Sequence, residues 1–277
     1  MVNTEYLHLT PDRWQNLMPP SNSLDGWSFI SYVLNKELLA RKISLKKLKW
    51  QNLSPYVIGI SGSVAAGKST FAKKLKQCLE KEDKQVEIVS TDNFLMSNAE
   101  LEEKGLIEQK GFPASINWKA LNNFLLNVKL GNNNIPYRLY SQELSDLIPN
   151  ELGTYKQADI LIIEGINILE LPKENGPIPS DYLDYAIYLD SDEKNLETWF
   201  MKRYHYLLEL NRNNPDNFFY KWAHVDRKQA DEFAKKVWFD VNVKNLHEFI
   251  APTKVRANMI VTKALDHSIS AIDLKQF

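Results

Sequence analysis

The stretch Tyr56-Val57-Ile58-Gly59-Ile60-Ser61-Gly62-Ser63-Val64-Ala65-Ala66-Gly67-Lys68-Ser69-Thr70 is an apolar, β-branched run that opens into G-x-x-x-x-G-K-S. That spacing carries a specific chemistry. Glycines at both ends let a backbone curl around a phosphate without Cβ clashes. The N–H groups of the loop, and the N-terminus of the helix behind it, then face the anion. Lys68 is expected to reach the β- and γ-phosphates of ATP, and the Ser69 hydroxyl to ligate Mg²⁺. Gly62, Ser63, Val64, Ala65, Ala66, Gly67 and Thr70 complete the expected cradle.

Three more side chains have types and positions suited to a bound triphosphate. Asp92 follows the apolar segment Val86–Ser90, where a carboxylate sits across from the loop. It would accept a proton from a substrate hydroxyl or help hold Mg²⁺ through water, although an Asp there also suits a turn or a helix cap. Glu164 ends the run Asp159-Ile160-Leu161-Ile162-Ile163, the place from which an acid orients the metal or its waters. Arg203 lies in Thr198-Trp199-Phe200-Met201-Lys202-Arg203-Tyr204, and a guanidinium supplied from the same chain can stabilise a phosphoryl group in transfer. Lys202 competes for that role, and surface exposure explains an Arg equally well.

These residues need elements to position them. The pattern predicts strands at Tyr56–Ser61, Val86–Ser90, Asp159–Ile163, Tyr185–Leu189 and Met259–Thr262. Helices are predicted at Ser69–Glu82, Trp118–Leu130, Lys194–Asn211 and from Arg227 to about Ile250, the last capped by Asp226. Residues 1–54 read as amphipathic helical patches forming an N-terminal extension. Continuous apolar strands alternating with helices imply an α/β chain with a mostly parallel sheet covered on both faces. In such sheets ligands gather at the carboxyl ends of the strands, where each of these motifs falls.

The chain has 277 residues, 44% of them hydrophobic, and no linker-like tract, so one domain over 1–277 is expected. A net charge of −1 offers no electrostatic case for nucleic acid or for an anionic membrane. The single cysteine, Cys78, allows no internal disulfide. Met1 to Gln15 has no apolar core of a secretory signal, and no uncharged run has the length of a membrane span. A cytoplasmic location is the expectation.

With these residues in hand, the chain resembles the bacterial type I pantothenate kinases, of the phosphoribulokinase and uridine kinase group. The likeness runs from about Pro55 to His267 in separated blocks. They include Gly62–Thr70, Thr91-Asp92 with Phe94-Leu95, Lys110-Gly111-Phe112-Pro113, Tyr140-Ser141, Asp146 with Ile148-Pro149, and Asp159–Asn167. Ile187–Asp190, Thr198-Trp199, Arg203, Asn245-Leu246, Pro252-Thr253 and Thr262-Lys263 follow. The resemblance implies a P-loop NTPase-type fold and ATP- and Mg²⁺-dependent phosphorylation of the primary hydroxyl of pantothenate, the first step to coenzyme A. It implies Asp92 as the catalytic carboxylate and Arg203 as the cation over the developing charge. Tyr140 and Asn245 would line the acceptor pocket, and Lys73 would tie to feedback inhibition by coenzyme A. It also implies a homodimer.

The departures cluster on the acceptor side. Gln142 stands where the family has His, Phe200 and Ser145 where it has Tyr, and Asn117 where it has Asp. Asp92-Asn93-Phe94 replaces Asp-Gly-Phe. Loss of an imidazole and a phenol is expected to remove hydrogen-bond donors and to shift acceptor preference. The aromatics Phe94, Phe112, Trp199, Phe200 and Tyr204 would wall that pocket or fill the core. Two other readings are open: a kinase of the same group for another small alcohol, such as a nucleoside or glycerate, and a silent ATP or coenzyme A sensor. Only Arg138 lies near Tyr140 to meet a phosphate-bearing acceptor.

Overall fold

A computed structural model describes residues 5–19, 25–49, 54–171 and 176–276. The chain runs β1 (Tyr6–Leu9), α1 (Pro11–Leu17), α2 (Gly26–Lys47), β2 (Tyr56–Gly62), α3 (Lys68–Glu80) and β3 (Val86–Ser90). It continues through α4 (Asn98–Glu103), α5 (Trp118–Lys129), β4 (Ile135–Ser141), β5 (Asp146–Tyr155), β6 (Ile160–Glu164) and β7 (Tyr185–Asp190). The last elements are α6 (Glu193–Leu210), α7 (Tyr220–Ala223), α8 (Arg227–Val237), β8 (Met259–Lys263) and β9 (Ile269–Lys275).

Seven strands form one sheet in the order β1-β9-β8-β7-β2-β6-β3. Pairings from β8 to β3 are parallel, and those of β9 with β8 and β1 are antiparallel. Every residue of β2 and β6 is buried. Since successive side chains point to opposite faces, both faces of the sheet centre are covered. The expected α/β architecture is therefore present. From β2 the chain crosses β6 to reach β3, and from β6 it later crosses β2 to reach β7. The order of strands reverses there, and the carboxyl ends at such a reversal leave a crevice.

The predicted strands at 56–61, 86–90, 185–189 and 259–262 match to within one residue, and β6 starts one residue later than read. Helix α3 begins at Lys68 and buries Phe71, Leu75 and Leu79 at a spacing of four, placing Cys78 near its C-terminal end. Asn117 caps α5 by accepting the Ala120 N–H at 3.0 Å, so this departure preserves a cap.

One reading needs correction, one predicted helix changes its winding, and one hairpin was not signalled by the pattern. The N-terminal part is not helical throughout, because β1 extends the sheet edge and pairs with β9, a strand the pattern did not signal. Its helices share the core cluster through Trp14, Phe29, Ile30 and Leu34. Trp27 packs on Phe71 of α3 with centroids 4.6 Å apart, while 20–24 and 50–53 lie outside the described residues. The long helix from Arg227 ends as α-helix at Val237 and continues in wider turns over Trp238–Val243 and Leu246–Ile250. Buried Trp238, Asn242, Leu246 and Ile250 recur every fourth residue. A helix of about 3.6 residues per turn would carry that row off the core, and the wider turns take up the difference. Asp226 does cap α8, accepting the Lys228 N–H at 2.9 Å. Finally, residues 135–155 form a two-stranded hairpin, β4–β5, separate from the main sheet.

The ends of β3 and β6 approach so closely that a Cβ at Gly165 would lie 1.6 Å from Thr91 Oγ1 and 2.7 Å from Thr91 Cβ. Gly165→Ala is expected to lower unfolding free energy by roughly 1–3 kcal/mol through overpacking. Adding Thr91→Ala should recover part of that loss, as read from urea denaturation midpoints at unchanged slope.

Candidate active site

The loop after β2 turns sharply beneath the carboxyl end of β7. Gly62 has φ +143°, and a Cβ there would meet the Leu189 carbonyl oxygen at 2.5 Å, so the turn requires glycine. Ala65 is also held at positive φ. Lys68 Nζ donates to the Ser63 carbonyl at 2.9 Å, which folds the side chain back over the cradle. Lys263, at the end of β8, donates to the Ala66 carbonyl at 2.8 Å from the other side. Burial lowers the pKa of both lysines, and for Lys68 the neighbouring Glu164 and Asp92 pull the other way. Val64 and Gly67 are half-buried, whereas Ser69, Thr70 and Lys73 are exposed.

The carboxyl ends of β3 and β6 bring in the two acids. Glu164 is 5% exposed, and its Oε1 accepts the Ser69 hydroxyl at 2.9 Å. A hydroxyl and a carboxylate in contact are hard oxygen donors suited to Mg²⁺, which takes one or two protein ligands and completes its shell with phosphate and water. Among the described residues, no group of three or more His, Cys, Asp and Glu is placed to hold a metal. Asp92 is half-buried in the turn after β3. Burial, reinforced by the Glu164 charge, raises its pKa to about 6 against the opposing pull of Lys68, Arg203 and the Gln142 amide. Asp92 is thus a carboxylate whose proton affinity is raised toward neutral pH, a property shared by groups at functional sites.

The acceptor side is built by the hairpin. Its strand β4 is tied to the Asp92 turn because the Tyr140 N–H donates to Asn93 Oδ1 at 2.9 Å. Arg138 grips Glu100 of α4 with contacts of 3.0–3.2 Å, so it is already paired. Lys110 lies 5.6 Å from the Tyr140 ring centroid and donates to Asn98 Oδ1 and to the Ser145 carbonyl. The Tyr140 hydroxyl and Ser145 Oγ are 3.4 Å apart. Gln142, at the hairpin tip, does not leave a gap. Its Nε2 donates to Asp92 Oδ2 at 3.2 Å, and its Oε1 accepts from the Arg203 guanidinium at 3.2 Å.

Lys68, Asp92, Glu164, Arg203 and Gln142 are therefore brought together. Asn245 is buried and donates to the Gly111 carbonyl at 2.8 Å, a carbonyl that Asn167 also approaches at 3.4 Å. The amide oxygens of both asparagines have no hydrogen-bond partner among the described residues. Phe200 packs on Trp238 at a 5.3 Å centroid separation and straddles two apolar clusters. Tyr204, by contrast, is buried in the smaller cluster with Leu208, Ala223, Ala230 and Ala234. Burial there, with Asp231 nearby, pushes its hydroxyl up to about 12.

The matches to known proteins agree with this geometry. The model of the Phosphoribulokinase / Uridine kinase family matches residues 57–203. Pantothenate kinases from Streptococcus pyogenes serotypes M5 and M18 are 41% identical over 247 residues, covering 88% of this chain and 80% of each relative. The chain belongs to the phosphoribulokinase/uridine kinase family. Among solved structures, D-glycerate 3-kinase from Cryptococcus neoformans var. grubii superposes with a TM-score of 0.62 at 13% identity, over 88% of this chain and 99% of that one. That likeness shows the fold alone. The protein is an ATP-dependent phosphotransferase, and the resemblance to pantothenate kinases seen in the motifs extends through most of the chain.

Sequence reasoning underestimated three residues of this kinase. Lys263, Asn167 and Lys110 stood within matching blocks but had no assigned part. Their contacts with the loop, Gly111 and the hairpin depend on strand order, which spacing does not reveal. Gln142 was read as a lost donor, yet its amide still donates. Gly62→Ala should force the loop off the Leu189 carbonyl and weaken ATP binding at least about tenfold. Titration calorimetry with ATP checks this, with circular dichroism confirming an intact sheet.

Proposed function

We propose that this kinase transfers the γ-phosphoryl group of ATP to the primary hydroxyl of pantothenate, the first step toward coenzyme A. The observation that carries the substrate assignment is 41% identity over 88% of the chain to proteins named pantothenate kinase. Its chemical support is the cluster of Asp92, Lys68, Glu164 and Arg203 at the sheet crevice.

In this reading the triphosphate lies on Gly62–Thr70, with Lys68 released from the Ser63 carbonyl to the β- and γ-phosphates. Ser69 and Glu164 are the residues that would hold Mg²⁺, and a bound Mg²⁺ would supply neutralisation of phosphate charge. The acceptor enters between the hairpin and α6, bounded by Tyr140, Gln142, Phe200 and Asn245, with Tyr204 supporting that wall from behind. Asn245 Oδ1 offers an acceptor to a substrate hydroxyl or amide N–H. Asp92 orients the attacking hydroxyl and takes its proton, while Arg203 meets the charge developing on the transferring oxygens. Lys73, exposed on α3, is our choice for the contact through which coenzyme A competes with ATP. A cytoplasmic homodimer completes the proposal, and no helix among the described residues is long and apolar enough to cross a membrane.

The function is tested by coupled ADP release with Mg-ATP, comparing pantothenate with pantetheine, pantoate, uridine and glycerate. Turnover of pantothenate is expected; its absence, with turnover of another acceptor, overturns the substrate assignment. Lys68→Ala should abolish turnover with the fold retained, and Asp92→Asn should cost at least about a hundredfold in kcat.

The pH dependence follows from the raised Asp92 pKa. The protonated acid cannot accept a proton, so activity is lost as pH falls through the folded-state value of about 6. The kcat/KM for the acceptor should therefore be level above that value and fall tenfold per unit well below it. This limb should vanish in the residual activity of Asp92→Asn.

A further inference from the structure

We infer that Gln142 is a positioning residue for phosphoryl transfer, bridging the Asp92 carboxylate and the Arg203 guanidinium across the mouth of the site. This rests on the roles proposed above for those two groups. The bridge uses both ends of one amide, Nε2 toward Asp92 Oδ2 and Oε1 toward Arg203, each at 3.2 Å. An amide is well matched to this task, because it presents a donor to the anion and an acceptor to the cation without titrating. With Oδ2 occupied, Asp92 keeps Oδ1 for the acceptor hydroxyl. With one nitrogen held, Arg203 is kept over the crevice instead of swinging into solvent, where its exposed position on α6 would let it go.

The hairpin tip is itself anchored. Glu143 accepts the Phe218 N–H through its carbonyl at 3.2 Å, and Ser141 Oγ accepts the Leu144 N–H at 3.2 Å. At the other end, Tyr140 is pinned to Asn93, the residue next to Asp92. Gln142 thus sits between two fixed points, and its placement does not depend on a substrate. The other charged or titratable groups facing Asp92 are Glu164 from β6, Lys68 from α3, Lys110 from the turn before Gly111, and Tyr140 from β4. None of them contacts Arg203 by a hydrogen bond among the described residues, so the coupling of base to cation falls to residue 142.

The test compares Gln142→Leu, Gln142→Glu and Gln142→His in steady-state kinetics with Mg-ATP and pantothenate. Gln142→Leu should lower kcat roughly tenfold at unchanged KM for ATP. Gln142→Glu should do worse, since it keeps a partner for Arg203 but sets a second carboxylate against Asp92. Gln142→His should restore most of the rate at pH 8 and fail at pH 6. A neutral imidazole donates from one nitrogen and accepts at the other, whereas the imidazolium only donates and repels Arg203. A purely structural role would depress all three variants alike, at every pH, with a lowered Tm. Wild-type kcat in Gln142→Leu, or a loss confined to the KM for pantothenate, overturns the inference.

Failure of the substrate assignment is kept separate. If the wild-type enzyme leaves pantothenate untouched, the same rate pattern is read in acceptor-independent Mg-ATP hydrolysis, where water replaces the hydroxyl beside Asp92. In the unliganded ¹⁵N-labelled protein, the Gln142 side-chain amide signals, assigned by their absence in Gln142→Leu, should move in both Asp92→Asn and Arg203→Lys. Signals that stay in place in both variants show that no bridge exists in solution.

Discussion

Parallel pairing of β3 with β6 puts Ser90 directly opposite Glu164, and the chemistry of the site depends on that register. Two residues past Ser90 comes Asp92, so the two acids are set side by side by backbone hydrogen bonds and not by any attraction of their own. The approach of Thr91 to Gly165 leaves no room for a slip. A displacement of one residue would turn every side chain to the opposite face and bury a carboxylate in the core. The apolar run of β6 therefore fixes the place of Glu164, by making the register of its last residue costly to change.

That arrangement concentrates charge where water is scarce. Burial, with repulsion from Glu164 added to it, raises the Asp92 carboxyl to about 6. Lys68 and Arg203 oppose the shift, and the formal charges of the four groups cancel before a nucleotide is bound. An added triphosphate overturns the balance unless a divalent cation accompanies it. The contact of Ser69 with Glu164 sets two hard oxygens together beside the loop. Lys68 is likewise satisfied by the Ser63 carbonyl in a contact that a stronger phosphate acceptor can replace.

How much of this was legible in the sequence followed from how each element is stabilised. Strands β2, β6 and β7 announce themselves because burial on both faces favours long apolar runs, while β3 shows itself through Val86, Ile88 and Val89. The phosphate loop is legible because its glycines answer to backbone geometry, which spacing records. The hairpin β4–β5 left no such trace, since most of its residues are half-buried or exposed and polar side chains interrupt the alternation. Edge strand β1 is supported only when the chain ends meet and it pairs with β9. The helix from Arg227 does run on to Ile250, and only its winding escaped the sequence, because a row of buried residues at every fourth position looks the same whether the turns are tight or wide. Tyr204 adjoins Arg203 in sequence but points roughly 100° away around α6, into the smaller cluster.

The two halves of the site thus differ in how they are held. The nucleotide side is built on the central strands, with the Leu189 carbonyl, Lys263 and the β3–β6 register each fixing one part of it. The acceptor side hangs on a hairpin outside the main sheet, attached through Tyr140 and Asn93, Arg138 and Glu100, and the bonds of its tip. Ile135 and Tyr155 at the base of the hairpin join the main core, but residues 142–145 at its tip lie outside that core, so the tip can change while the central strands stay as they are. The departures at Gln142 and Ser145 fall on the hairpin, whereas Phe200 lies on α6 against the buried Trp238. Gln142 also shows what constrains such change: a residue facing both Asp92 and Arg203 must keep a donor for one and an acceptor for the other, and few side chains other than an amide meet both demands at every pH.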